Sequence, residues 1–226
     1  ITEDDNVFSP LFLGYMNAMS SNYLKNEKVF GISGFSTNIL QPNYQFGSDF
    51  LYASQACAVW GFLLNKDKHY SLMKLLNNKK LYEILSKDLS NKSFVKRLNK
   101  ISLAYYPHFL NCIRTKESPA FDHFLAYYCL KNNYINIHNS NTYVKNMGHD
   151  GSGARSEKND KLQRHIQNIE FSKTIPEMKS VELIPERNDL FGFNDRSLLK
   201  YYVKITLIRL GLFNPLKGFI KKMIYG

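Results

Sequence analysis

The residues with most chemistry to offer stand at the front of the chain. Ile1-Thr2-Glu3-Asp4-Asp5 sets three acids in a row behind an apolar start, and Asn6-Val7-Phe8 then leads into Ser9-Pro10. That order predicts a buried strand ending in a carboxylate cluster, followed by a turn into a helix. Carboxylates at a strand end are hard oxygen ligands suited to Mg²⁺ or Mn²⁺, and such a cation usually keeps positions open for substrate phosphates. Three consecutive acids also make an ordinary solvated turn, and the triplet alone does not separate the two. A further acid, Asp122, follows Ser118-Pro119 and falls in the first turn of a predicted helix. A carboxylate suits the positive end of a helix dipole whether or not it does chemistry. The third candidate is the run Gly148-His149-Asp150-Gly151-Ser152-Gly153. Its backbone N–H groups could face phosphate, but without a following helix it is not a nucleotide fingerprint.

The elements that would carry these residues follow from periodicity and turn chemistry. Ser9-Pro10 has the form of an N-cap and first helical residue, with Leu11, Phe12, Tyr15, Met16 and Met19 at helical spacing behind it. Residues 29–34 read as a short buried strand whose glycines serve a turn or a close approach to ligand. Residues 35–49 read as loop, 50–54 as a strand, and 56–64, with the single Trp60, as an apolar helical stretch. The Lys- and Asn-rich residues 66–92 fit short helices in an insertion. Residues 94–113 form an amphipathic pattern through Val95, Leu98, Ile101, Ala104, Phe109 and Ile113, with a kink or break at Pro107. Ser118-Pro119 opens a helix that points Phe121, Phe124, Leu125, Tyr128 and Cys129 inward, and 134–138 and 142–146 alternate as strands. Residues 151–185 read as an extended polar tail.

Composition bounds the rest. The chain has 226 residues, 44% of them hydrophobic, enough for one ample core or a domain with an appendage. Its 15 Tyr and 16 Phe argue against disorder, and a formal charge of +11 points to anionic partners. The 3 cysteines (Cys57, Cys112, Cys129) lack metal-ligand spacing and read as reduced buried thiols of a cytoplasmic protein. No apolar run reaches membrane-span length and no signal peptide is visible. The start in mid-strand, without Met, predicts the C-terminal portion of a longer protein. From residue 200 to the end, Lys200, Lys204, Arg209, Lys217, Lys221 and Lys222 interleave with apolar residues and no acid, and Gly211 and Pro215 divide the stretch into two short helices. Either these form an interfacial anchor for anionic lipid, or they pack on the domain with their lysines outward.

Taken together, these landmarks resemble the bacterial glycosyltransferases of the GT-A fold, the nucleotide-diphospho-sugar transferases of the family 2 kind. ITEDD is similar to the family's strand-end acidic motif, VFGISGF to the next strand and its Ser-Gly turn, and AVWGF to the Trp-Gly-aromatic segment on the acceptor side. SPAFDHFLAYYCLKNN, leading to NTYVKNMGHDGSGARS, is similar to the acidic helix start and closing loop. The likeness covers residues 1–155. It implies an α/β class with an incomplete GT-A mixed sheet, a helical insertion and a basic C-terminal helical tail. The expected divisions are an acceptor- and metal-binding half over 1–155, an extended polar tail over 156–196 and a basic amphipathic tail over 197–226.

The resemblance also implies chemistry. Asp5, with Asp4 and Glu3 near it, would hold Mn²⁺ or Mg²⁺ against the diphosphate of a nucleotide-sugar donor. Asp122 would take the proton from the acceptor hydroxyl, with inversion at the anomeric carbon. Gly151, Ser152 and Arg155 would meet the donor phosphates, Arg155 standing where the family commonly has a His. Trp60, Gly61, Phe62 and Phe121 would bind the acceptor, with Phe62 and Phe121 replacing tryptophans of the family. The expected partners are a nucleotide-diphospho-sugar, a saccharide or lipid-linked acceptor of lipopolysaccharide or capsule synthesis, and an anionic membrane face. A non-catalytic remnant or scaffold of such an enzyme is the alternative. A nucleic-acid-binding module is disfavoured, because the charge collects at the C-terminus and no binding motif accompanies it.

Overall fold

The computed structural model describes residues 2–36, 50–56, 59–148, 170–176, 182–183 and 198–216. Two sheets organise them. A five-stranded mixed sheet has the order β4-β2-β5-β3-β7, built from β2 (Val29–Ser33), β3 (Leu51–Ser54), β4 (Phe62–Leu64), β5 (Ile135–Asn139) and β7 (Glu182–Leu183). Strand β2 runs parallel to β5, β3 parallel to β7, and the β2–β4 and β3–β5 pairs are antiparallel. A separate antiparallel pair joins β1 (Asn6–Phe8) to β6 (Val144–Asn146), with Asn6 opposite Asn146 and Phe8 opposite Val144.

The larger sheet is covered on both faces, so β2 and β3 are buried along their whole length instead of alternating with solvent, and β5 between them buries the polar Asn136, His138 and Asn139. On one side Tyr15, Met16 and Met19 of α1 (Phe12–Tyr23) pack on Val29, Ile32, Leu51, Ala53 and Ile137. Val29 and Ile32 lie three residues apart yet share that core, because the pairing of β2 with β5 slips between Val29 and Gly31. Phe30 and Phe62 serve the other side, where the main core is helical. It is built from α2 (Lys66–Leu76), α3 (Leu81–Leu89), α4 (Lys92–Ile101), α5 (Tyr105–Thr115) and α6 (Phe121–Asn132). Leu72, Leu85, Leu98, Phe109 and Phe124 meet there fully buried. Helix α6 is apolar on every side from Phe124 to Leu130 and is buried on every side, at the centre of this layer.

Local sequence explains several of the boundaries. Asn65 caps α2 by accepting from the Lys68 amide, and Asn91 caps α4 by accepting from the Ser93 and Phe94 amides. The amphipathic pattern over 94–113 breaks at residues 102–104 into α4 and α5, leaving Pro107 in the first turn of α5, where its missing N–H is harmless. Both Ser-Pro signals stand two residues early. Helix α1 starts at Phe12, with Ser9 Oγ accepting from the Leu11 amide, and α6 starts at Phe121, after Ala120 donates its amide to His108 Nε2 at 3.0 Å.

Two expectations are corrected. Residues 2–5 are not a buried strand: Thr2, Glu3 and Asp4 are exposed, Asp4 and Asp5 form a turn, and the strand begins only at Asn6. The stretch 56–64 is not helical either. Trp60 and Gly61 make a turn with Gly61 at φ 58°, and the chain then enters β4. An apolar run of that length is compatible with either structure, and here pairing with β2 decided it.

The last described element, α7 (Leu198–Leu210), lies along α5. Tyr201, Ile205 and Ile208 are buried, Asn99 Nδ2 donates to the Tyr201 hydroxyl at 2.7 Å, and Arg114 Nη1 donates to the Arg209 carbonyl at 3.2 Å. Among the described residues no helix is long and apolar enough to cross a membrane.

Candidate active site

The acids of the N-terminal turn are held against the end of β6. The β1–β6 ladder sets Asn6 beside Asn146, and the Met147 amide donates to the Asp5 carbonyl at 2.8 Å, so residue 5 is pinned by backbone alone. Asn146, itself 3% exposed, then ties the side chains together. Its Nδ2 donates to Asp5 Oδ1 at 2.9 Å and to Glu3 Oε2 at 3.2 Å, while its Oδ1 accepts from the Gly148 amide at 2.9 Å. Gly148 completes the seat. A Cβ there would lie 1.8 Å from Asp5 Oδ2, so only glycine allows the carboxylate to settle where it does.

Glu3 connects this cluster to the remainder of the candidate site. Partial desolvation, then the negative charge of Asp5, hold its carboxyl above the ordinary glutamate range. A hydrogen bond from Trp60 opposes that rise, and the charges of Asp122 and Asp4 add to it. One carboxyl group thus feels Asp5 from the N-terminal turn, Asp122 from the mouth of α6 and the Trp60 side chain from the turn before β4. Three segments far apart in sequence supply one neighbourhood.

The remaining expected residues fall as follows. Asp122 opens α6 with its side chain 45% exposed, its Oδ2 3.8 Å from His123 Nε2. The His123 ring packs on Tyr105 and edge-on to His108, with centroids 4.7 and 4.4 Å away. Trp60 is half-buried and meets Phe35 edge to face at 4.6 Å. Phe121 is half-buried against the helical core. Phe62 departs from its expected place on an acceptor platform: it is 2% exposed and packed in the main core. The reason is local, since a Cβ on Gly31 would stand 2.4 Å from the Phe62 ring, which therefore occupies the space above β2. Asp4 is exposed and touches the site only through its charge on Glu3. Gly151, Ser152, Arg155 and His149 lie outside the described residues.

Sequence reading missed Asn146 and the part that Glu3 and Gly148 play in holding the cluster together. No spacing rule marks an asparagine at the end of a strand as the clamp for acids 141 and 143 positions earlier. The donor set is nonetheless of the hard-oxygen type that Mg²⁺ and Mn²⁺ prefer, and crowded negative charge is what a cation would relieve. Among the described residues no three His, Cys, Asp or Glu side chains stand grouped closely enough to hold a metal. Glu3 and Asp5, bridged by the Asn146 amide, are the pair that fits one best.

Fold and site together define a mixed α/β protein that gathers carboxylates from its N-terminal turn and a helix mouth beside a tryptophan. No protein-family model, no curated protein and no solved structure matches the chain.

Proposed function

We propose that this chain is the acceptor- and metal-binding half of a GT-A-type glycosyltransferase, moving a sugar from a nucleotide-diphospho-sugar to a saccharide of a bacterial surface polysaccharide. The observation that supports the reading is that Glu3 feels the negative charges of Asp5 and Asp122 and accepts a hydrogen bond from Trp60. Sugar transfer needs negative charge neutralised on the leaving diphosphate, a proton accepted from the attacking hydroxyl and a flat apolar surface for a sugar ring. Glu3 and Asp5 would hold the divalent cation, which supplies the first of these. Asp122, half-exposed at the start of α6, is open to an acceptor hydroxyl and takes its proton. Trp60 offers its ring while its indole N–H steadies Glu3. Asn146 fixes the spacing of the two ligating carboxylates.

The test is Mn²⁺-dependent turnover of a panel of nucleotide-diphospho-sugars, with Mn²⁺ binding measured separately by calorimetry. Asp5→Ala should weaken Mn²⁺ binding and lower turnover by roughly 100-fold, the scale on which single charge-stabilising groups act. Asp122→Asn should cut transfer by a similar factor, within the usual range for a general base, and leave Mn²⁺ binding intact. Unchanged turnover in both variants refutes the assignment.

A further inference from the structure

Helix α7 has two faces of the same apolar character and opposite surroundings. One carries Tyr201, Ile205 and Ile208 into the contact with the helical layer. The other carries Leu199 (72% exposed), Val203 and Leu210 (64% exposed) to the surface. At 100° per residue these three outward side chains fall within about 40° of arc, directly opposite the buried stripe. The row has cations along both borders, Lys200 and Lys204 on one side and Arg209 on the other, while Leu198 and Tyr202 widen its apolar surface. Beyond the helix the exposed Leu212 and Leu216 continue that apolar surface. From residue 197 to 226 there is no acid.

A cavity of about 760 Å³ adjoins α7 at Arg209. Its floor includes Leu89, Val95 and Ile113, and Lys92, Lys96 and Arg209 supply positive charge around it. Among the described residues no acidic side chain lines it.

We infer that α7 and this basic cavity form a docking surface for an anionic bilayer, with the Leu199–Val203–Leu210 row entering the headgroup–acyl boundary and the cations meeting lipid phosphates. The pattern fits that occupant because a bilayer interface is apolar below a layer of negative charge, the complement of an apolar row bordered by cations. A second copy of the chain would fit poorly, since an α7 pair would set cation against cation. The buried Tyr201, Ile205 and Ile208 keep the helix fixed to the domain, so the protein would lie on the bilayer and not span it. This inference does not rest on the glycosyltransferase reading.

The experiment is flotation of the full chain with vesicles of phosphatidylcholine alone or with one-third phosphatidylglycerol, at about 0.1 M salt. The wild-type chain should float with the anionic vesicles and stay behind with the neutral ones. Leu199→Asp/Val203→Asp removes the apolar row at exposed positions, and Lys92→Ala/Lys96→Ala removes cavity charge. With circular dichroism unchanged, the first should abolish flotation. The second should weaken partitioning roughly 30-fold, from about 1 kcal/mol per cation near an anionic surface. Wild-type flotation by either variant overturns the inference, as does equal binding to neutral vesicles. A concentration-dependent dimer that the aspartate variant dissociates, without vesicle binding, would overturn it in favour of self-association.

Discussion

Asn146 and Gly148 carry no reactive group, yet they decide how the N-terminal acids are presented. Asn146 donates to both Glu3 and Asp5, and Gly148 leaves the space that Asp5 fills. In Gly148→Ala the clash falls on the mobile end of a carboxylate, which can swing aside. Thermal stability should therefore change by no more than about 0.5 kcal/mol, as at other surface sites, while under the proposed function Mn²⁺ affinity should fall. The shared neighbourhood can be read directly from Glu3. In ¹³C NMR titrations its carboxyl should protonate above the ordinary glutamate range, and both Asp5→Asn and Asp122→Asn should lower that midpoint, because each removes a nearby negative charge. Trp60→Phe should move it the other way, through loss of the hydrogen bond that favours the ionised form. A Glu3 midpoint indifferent to Asp122→Asn would separate the two halves of the site. The same scale accounts for the thiols. Burial pushes Cys112 up to about 11 and raises Cys129 as well, so a thiol reagent at pH 8 should label neither before unfolding.

Between elements, a polar link centred on Asp88 ties α3 of the helical insertion to the central helix α6. The hydroxyl of Tyr127 on α6, fully buried, donates to Asp88 Oδ2 on α3, and Lys131 Nζ meets the same oxygen at 2.6 Å. Burial and the Asp88 charge both hold the Tyr127 hydroxyl in its protonated form, so it remains a donor throughout the working pH range. Tyr127→Phe should cost about 1.5–3 kcal/mol in denaturant unfolding, the range for a hydrogen bond to a charged partner, with no change in helix content. The exposed ion pair of Glu170 and Lys173, by contrast, offers nothing comparable. Helix α7 is tied at its C-terminal end through Gly211, at φ 78°, where a Cβ would stand 1.9 Å from Arg114 Nη2. Gly211→Ala should loosen the docking of α7 against α5, visible as faster amide exchange in residues 205–210.

At the scale of the whole molecule, the sheet encloses a polar seam that includes one buried histidine, whose protonation should oppose folding. His138 of β5 is fully buried, stacked on Tyr52 at 5.0 Å, with Nε2 3.3 Å from the Ala56 carbonyl. Burial holds its pKa down at about 4, against two backbone hydrogen bonds that favour the charged form. Above pH 6.5 the imidazole is neutral in both folded and unfolded chains and favours neither. As pH falls from 6.5 towards 4, the unfolded chain binds a proton that the folded one refuses. Stability is therefore lost across that window, by about 3 kcal/mol at most. Denaturant unfolding at pH 7.5 and at pH 4.5 should show this loss, and His138→Gln should shrink it. An unchanged pH dependence in the variant would place the loss elsewhere.

How much of this was written in the sequence depends on range. Periodicity and turn chemistry marked β2, β3, β5 and α6, the presence of short helices within 66–92 without their bounds, and a break in the 94–113 pattern, set at Pro107 but found at 102–104, because each rests on residues within a few positions of one another. The same reasoning put the Ser-Pro signals two residues early and mistook 56–64 for a helix, where the outcome depended on a distant strand, β2. Residue types marked the N-terminal acids and Asp122 as groups worth following, and the family resemblance added Trp60. Tertiary structure decided which of them meet. It joined Glu3 to Asp5 and Trp60 within reach of the Asp122 charge, withdrew Phe62 into the core, and appointed Asn146 as clamp through a ladder between β1 and β6. It also split the apolar residues of α7 into a docked face and an open one. Contacts of that kind are set by how the layers pack, and packing depends on every element at once.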